Sequence, residues 1–143
     1  MTSSTWGRRS LFQSERLARP FLDVLSGYRA QGHYLLHEFV LMPEHFHGLI
    51  SVPPGMTIAR AAQLIKGGFS YRAKKELGFQ GEIWQRGFSD EYIFDASGYH
   101  TRCAYIRQNP VRAGLVRNPE EHTYCSAGSE VELDPMPPHL LGA

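Results

Sequence analysis

Residues 41–50 are Leu41-Met42-Pro43-Glu44-His45-Phe46-His47-Gly48-Leu49-Ile50, an apolar stretch with two histidines separated by one hydrophobic residue. Side chains alternate between the two faces of a β-strand, so His45 and His47 project to one face and Phe46 to the other, toward the core. Two imidazoles on one face of a rigid strand can hold a metal ion. They can also be polar positions on the solvated face of an amphipathic strand, and the pair alone does not decide.

A second stretch, residues 104–116, carries a tyrosine and an asparagine four residues apart, Tyr105 and Asn109. In a helix these side chains lie on one face a turn apart, and Pro110 is expected to end that helix. A phenol nucleophile and an amide ligand can therefore face one metal ion. The alternative is that Tyr105 is a helix-packing aromatic residue and Asn109 an ordinary residue at a helix C-terminus.

Together the stretches resemble the single-tyrosine HUH transposases of the insertion-sequence type, in which U is a hydrophobic residue, and most nearly the REP-associated tyrosine transposases. The similarity runs in the family's order over roughly residues 3 to 127, which is more specific than one short motif. The matching segments are Met42-Pro43-Glu44-His45-Phe46-His47, Gln63-Leu64-Ile65-Lys66-Gly67-Gly68-Phe69-Ser70, Ile83-Trp84-Gln85-Arg86-Gly87-Phe88 and residues 105–116.

The resemblance implies a metal-dependent transposase that cleaves and rejoins single-stranded DNA at palindromic hairpins. His45, His47 and the side-chain oxygen of Asn109 would hold Mg²⁺ or Mn²⁺, and Tyr105 would be the nucleophile that forms a 5′-phosphotyrosine intermediate. The expected partner is single-stranded DNA with hairpins, and the expected oligomeric state is a monomer or a homodimer. Related members often have a histidine near Ser89 and an arginine near Phe94, and this sequence has neither.

Two other functions are compatible with parts of the pattern. The first is an inactive or domesticated module that binds nucleic-acid hairpins without cutting them. The second is a histidine-triad nucleotide hydrolase, which also uses alternating histidines. That chemistry needs a further histidine two positions after His47, and Leu49 stands there.

Charge is distributed unevenly along the 143 residues. Residues 1–117 hold fifteen basic and nine acidic side chains, a formal charge of +6, whereas five acidic residues and no basic ones follow. A basic body is typical of proteins that bind a phosphate backbone. The candidate DNA contacts are Arg8, Arg9, Lys66, Arg72, Arg86, Arg107 and Arg112.

We expect one transposase domain over residues 1–117 and an acidic tail with proline and glycine, mobile in solution, over residues 118–143. No apolar run approaches the roughly 18 residues of a membrane span, so we expect a cytoplasmic protein.

The pattern of apolar residues predicts a ferredoxin-like α+β sandwich, an antiparallel sheet with helices on one face. The first strand, within residues 1–10, is expected to be truncated, because family members usually have further apolar residues before it. The other predicted elements are a helix from the Ser14 cap to Gly32, strands over 33–42 and 45–52, a helix capped by Thr57, a strand over 81–88, and a helix from Asp95 or Ser97 to Asn109.

Overall fold

The computed structural model describes residues 1–140 and has three strands and three α-helices. In chain order they are β1 (Thr2–Ser4), α1 (Glu15–Ala30), β2 (Leu35–Met42), β3 (His45–Ser51), α2 (Ile58–Leu77) and α3 (Ala96–Arg112).

Local sequence accounts for the ends of the helices. The Thr57 side chain accepts a hydrogen bond from the Arg60 amide at 3.0 Å, and the Asp95 side chain caps α3 in the same way through the Gly98 amide at 2.7 Å. Beyond α1, Gly32 takes a φ of 86°, a left-handed conformation that glycine adopts without steric cost. The predicted cap at Thr57 is confirmed, and of the two predicted starts of the last helix, Asp95 and Ser97, Asp95 is the cap. Ser14 precedes α1 as predicted, but its side chain makes no capping hydrogen bond.

The strands form one antiparallel sheet in the order β1-β3-β2. Strand β3 lies between β1 and β2 and is antiparallel to both, so β1 and β2 run parallel to each other. Helix α1 connects β1 to β2 and crosses over β3, as in a split βαβ unit. The antiparallel α+β class predicted from the sequence is confirmed.

Residues 83–89, which include most of the strand predicted over 81–88, lie beside β1 on the side away from β3. Isolated bridges join Thr5 to Trp84 and Thr2 to Ser89. The Gln85 amide donates to the Ser4 carbonyl, and Thr2 and Ser89 exchange two backbone hydrogen bonds. Between these two points of pairing the segment advances by four residues, from 85 to 89, whereas β1 advances by only two, from Ser4 to Thr2. The extra residues bulge out, and the segment forms no regular strand.

Helices cover both faces of the sheet. On one face Phe39, Leu41 and Phe46 join α1 and α2 in the main core, which also contains an aromatic group of Phe12, Phe21, Phe69 and Trp84. On the opposite face Val40 and Met42 pack against Ile106 of α3. The expected placement of all helices on one face does not hold, because residues 39–42 are all apolar and β2 is therefore buried on both sides.

The segment after α3 follows the outer edge of β2. The Leu41 amide donates to the Tyr124 carbonyl, and the Ser126 amide donates to the Phe39 carbonyl. Asp134 accepts from the Leu36 amide at 2.9 Å and from the Arg29 guanidinium at 2.8 and 2.9 Å. These contacts satisfy backbone groups that an edge strand leaves open, and the mobility expected for residues 118–143 stays a prediction. The predicted domain boundary at residue 117 stays a prediction.

Candidate active site

His45 and His47 lie side by side on β3, on the face of the sheet covered by α3. Their ring centroids are 4.6 Å apart and their planes nearly perpendicular, whereas Phe46 between them is buried in the core on the other face. The alternation of a β-strand thus places both imidazoles where a single ligand could contact them.

Each histidine has an outer partner at Nδ1. The Glu44 carboxylate lies 2.9 Å from Nδ1 of His45, and the Thr2 hydroxyl lies 2.7 Å from Nδ1 of His47. Within residues 1–140, neither Nε2 atom has a hydrogen-bond partner. An oxygen partner at one ring nitrogen fixes the ring orientation and directs the other nitrogen toward a ligand.

Both imidazoles are neutral at pH 7. Burial lowers the pKa of His45, although the Glu44 carboxylate opposes this shift. Burial, and then the neighbouring His45, lowers the pKa of His47 to about 3. A neutral imidazole has a free lone pair, which is the form that binds metal ions.

Helix α3 brings the predicted nucleophile to this face. The Tyr105 ring centroid is 5.9 Å from that of His47, and Tyr105 is 40% exposed. The helix continues to Arg112, although Pro110 was expected to end it at Asn109. Pro110 lies in the last turn, where its missing N–H removes one helical hydrogen bond. The carbonyls of Asn109 and Pro110 at this helix end accept hydrogen bonds from the Ala113 and Leu115 amides.

Asn109 lies one helical turn after Tyr105 and is partly buried. Its side chain forms no hydrogen bond with either histidine in the described structure. Residues 1–140 also contain no cluster of three His, Cys, Asp or Glu side chains that could hold a metal ion. A third protein ligand beside the two histidines would therefore have to be a different residue type, such as the amide of Asn109.

Two arginines of α3 flank Tyr105. The Arg112 guanidinium lies 4.1 Å from the centroid of the Tyr105 ring and donates to the Tyr105 carbonyl at 3.1 Å. The Arg102 guanidinium lies 5.1 Å from the same centroid. Arg112 was among the predicted DNA contacts and Arg102 was not, although its position three residues before Tyr105 places it on the same helix face.

The other predicted DNA contacts are spread over the molecule. Arg8 lies near the histidines, with its guanidinium 3.7 Å from the Glu44 carboxylate, and Arg86 is exposed. The remaining four have protein partners: Arg9 donates to the Glu82 and Trp6 carbonyls, Lys66 to the Gln85 and Gly87 carbonyls, Arg72 to Glu76, and Arg107 to Glu38.

A cleft of about 170 Å³ opens beside His47. It lies between β3, which contributes His47, and α3, which contributes Arg102 and Ile106. Ser89, Asp90 and Glu91 also line it. A small ligand group in this cleft would contact His47 and the Arg102 guanidinium together.

A family model described as "Transposase IS200 like" matches residues 3–109. A solved structure of a REP-associated tyrosine transposase bound to a REP hairpin aligns with a TM-score of 0.69 at 24% identity, covering 87% of this chain and 73% of that chain. A putative transposase from Deinococcus radiodurans R1 aligns with a TM-score of 0.56 at 20% identity, covering 78% and 85%. No curated protein sequence matches the chain. None of the helices within residues 1–140 is long and apolar enough to cross a membrane.

Proposed function

The chain belongs to the IS200-like transposase family, and from that premise we propose that it cuts and rejoins single-stranded DNA through a covalent bond between Tyr105 and a 5′ phosphate. Membership in the family makes the protein a DNA-binding transposase. The finer chemistry is supported by one observation above all, the packing of the Tyr105 ring edge-on against His47, with their ring centroids 5.9 Å apart.

In the proposed cleavage the Tyr105 hydroxyl oxygen attacks the phosphorus of the scissile phosphodiester. A bond from Tyr105 Oη to phosphorus forms, and the bond from phosphorus to the 3′ oxygen breaks. The phenol loses its proton and the departing 3′ oxygen gains one. The phosphotyrosine bond conserves the energy of the phosphodiester, so a 3′-hydroxyl of another strand can attack it and release Tyr105.

His45, His47 and Asn109 are the residues that would hold a divalent ion, Mg²⁺ or Mn²⁺. The donor set fits, because two neutral imidazoles with free Nε2 atoms lie on one face and their Nδ1 atoms have oxygen partners. When bound, such an ion supplies positive charge to a non-bridging phosphate oxygen.

Arg102 and Arg112 are suited to bind the phosphate itself. Their guanidinium groups lie 5.1 and 4.1 Å from the ring centroid of the attacking phenol, and an arginine can donate two parallel hydrogen bonds to phosphate oxygens. Held in this way, the phosphate is presented to Tyr105, and charge that develops in the transition state is compensated.

We propose hairpins in single-stranded DNA as the substrate. This rests on the similar fold of the transposase solved with a REP hairpin and on the basic character of residues 1–117. Phosphate contacts make such binding weaken as salt is raised.

The decisive experiment mixes the purified protein with labelled single-stranded DNA that carries the palindromes flanking its gene, in Mn²⁺ or Mg²⁺. We expect a protein–DNA adduct that survives denaturation. Tyr105→Phe removes the nucleophilic hydroxyl and His45→Ala removes one ligand, so both variants should give no adduct, and EDTA should abolish it in the wild-type protein.

Tyr71→Phe, at an exposed tyrosine of α2, serves as the matched control and should give the wild-type adduct. Binding of the hairpin without any adduct in every divalent ion tested would contradict the proposal and would favour the alternative, a hairpin-binding module without cleavage.

A further inference from the structure

A second cleft adjoins the candidate active site. It has a volume of about 210 Å³ and lies between the second half of β3, the start of α2, residues 90–93 and residues 137–140. Five residues line both this cleft and the one beside His47: Met1, Leu49, Asp90, Glu91 and Ile93. A strand of DNA at the active site would therefore reach the second cleft within a short distance along its chain.

The inner wall of the second cleft is apolar. It includes the side chains of Ile50, Val52, Ile58, Tyr99 and Leu140. His37 also lies in this wall, but its ring is hydrogen bonded at both nitrogens, to the Ser51 hydroxyl at 2.7 Å and to the Asp134 carbonyl at 3.2 Å. Burial lowers the pKa of His37, so the ring is neutral at pH 7. Such a wall suits a flat aromatic group.

Two exposed aromatic side chains stand at the mouth. Tyr92 lines the cleft and is 72% exposed, and Phe94 is 83% exposed. Their ring centroids are 6.5 Å apart and their planes are inclined by 32°. Exposed aromatic rings beside a DNA-cleavage site are typical of surfaces on which unpaired bases stack.

Acidic side chains separate the two clefts. Asp90 and Glu91 belong to the shared wall, and Glu91 forms an ion pair with Arg102. Carboxylates repel phosphate, yet they accept hydrogen bonds from the amino groups of bases. The guanidinium groups of Arg102 and Arg112 beside Tyr105 favour a phosphate there, and the apolar wall of the second cleft favours a base.

We propose that this cleft binds one unpaired base of the DNA substrate next to the scissile phosphate, with Tyr92 as its stacking surface and Phe94 packed beside Tyr92. The proposal rests on the proposed function, because it assigns the position of one base relative to Tyr105. The size supports a single base, since a cleft of 210 Å³ is smaller than the pockets that enclose larger organic ligands.

The test measures binding of fluorescein-labelled single-stranded DNA with the gene-flanking palindromes by anisotropy, using Tyr105→Phe protein so that no strand is cut. Each nucleotide around the cleavage point is replaced in turn by an abasic site. We expect one abasic position to weaken binding about 10-fold, as loss of one stacked base does. Adding Tyr92→Ala should weaken binding of intact DNA by a similar factor and abolish the sensitivity to that position.

Tyr92→Phe keeps the stacking surface and should retain the sensitivity. Tyr71→Ala removes another tyrosine, 64% exposed on α2, and should leave the abasic profile unchanged. The proposal is overturned if the Tyr92→Ala protein shows the same abasic profile as the protein with Tyr92, or if no abasic position weakens binding. These outcomes are independent of adduct formation, so failure of the proposed cleavage chemistry is recognised separately.

Discussion

At the scale of single residues, Arg107 shows how one side chain serves a structural role that its charge alone does not reveal. The sequence placed Arg107 among the DNA contacts, but its guanidinium donates to Glu38 Oε1 at 2.7 Å. Glu38 is only 2% exposed, and its second oxygen has no hydrogen-bond partner within residues 1–140. A carboxylate in this position depends on its single cation, so the pair fixes α3 to β2.

We predict that Arg107→Ala lowers the free energy of unfolding by about 3 kcal/mol, because it leaves a buried charge unpaired. Urea denaturation measures the loss. Arg86→Ala, at an exposed arginine without a protein partner in the described structure, should change stability by less than about 0.5 kcal/mol. In the double variant Arg107→Ala with Glu38→Gln, part of the loss should be recovered, since no buried charge is left. A loss equal to that of Arg86→Ala would show that the pair contributes nothing.

Four residues of the candidate site could be proposed from the sequence alone. His45, His47, Tyr105 and Asn109 follow from two short motifs, because strand and helix periodicity fix which side chains share a face. In the structure the Tyr105 ring packs against His47, which in turn packs against His45. Arg102 was missed because a helix shows many charged positions, and only the packing of α3 on the sheet reveals which of them point toward the cleft.

At the scale of elements, two adjacent glycines, Gly67 and Gly68, lie in the middle of α2, where glycine is less favourable than alanine. Both positions are helical, yet they differ in their surroundings. A Cβ on Gly68 would stand 2.8 Å from the ring of Tyr28 on α1, whereas a Cβ on Gly67 would meet nothing within 4 Å. The close approach at Gly68 is thus helix packing, and Gly67 faces outward.

We predict that Gly67→Ala raises the free energy of unfolding by up to about 1 kcal/mol, the usual gain of alanine over glycine in a helix. Gly68→Ala should gain nothing or destabilise, because Tyr28 has to move. Thermal unfolding of the two variants measures these changes in stability. In a Tyr28→Ala background, Gly68→Ala should stabilise the protein as Gly67→Ala does, because the ring that its Cβ would meet is gone. Equal stabilisation by both substitutions would contradict the packing argument.

Elements with strong local signals were predicted well, and elements fixed by distant partners were not. The amphipathic helices and the caps at Thr57 and Asp95 have their causes within a few residues. The 83–89 segment depends on its pairing with β1, and that pairing bulges. Helix α3 packs on the second face of the sheet because β2 is apolar on both sides. In the sequence alone, an apolar β2 is compatible with helices on one face of the sheet or on both.

At the scale of the whole molecule, the segment after residue 117 closes the edge of the sheet, and composition could not predict this. Proline-rich, acidic sequence is typical of tails, but here a few specific contacts outweigh the composition. The strongest group of contacts centres on Asp134, which joins α1 through Arg29 and β2 through the Leu36 amide. Asp134 therefore links three parts of the chain that are distant in sequence.

The Asp134 contact should make stability depend on pH in a defined direction. Hydrogen bonds from Arg29 hold the pKa of Asp134 below its usual value of 3.8. A carboxyl whose pKa is lowered on folding stabilises the folded state fully above its unfolded pKa, and that contribution is lost as pH falls through the folded pKa. The unfolding free energies of the wild type and Asp134→Asn should thus differ by a constant amount at pH 5 to 7, about 2 kcal/mol for charge-assisted hydrogen bonds. Below about pH 4 the difference should shrink, because Asp134 of the unfolded wild-type chain becomes protonated there and the folded carboxyl follows at its lower pKa.

Urea denaturation of both proteins at pH values from 7 down to 3 measures this difference, and comparing the two removes the contribution of every other titrating group. Glu132→Gln is the matched control, since Glu132 also contacts Arg29, at 3.2 Å, but its side chain is mostly exposed. Its effect should stay below about 0.5 kcal/mol, as for other exposed ion pairs. If Asp134→Asn unfolds with the wild-type free energy at pH 7, the segment after residue 117 does not contribute to stability through this contact, and the edge of β2 is held by the segment's other contacts, among them the backbone hydrogen bonds of Tyr124, Ser126 and Asp134.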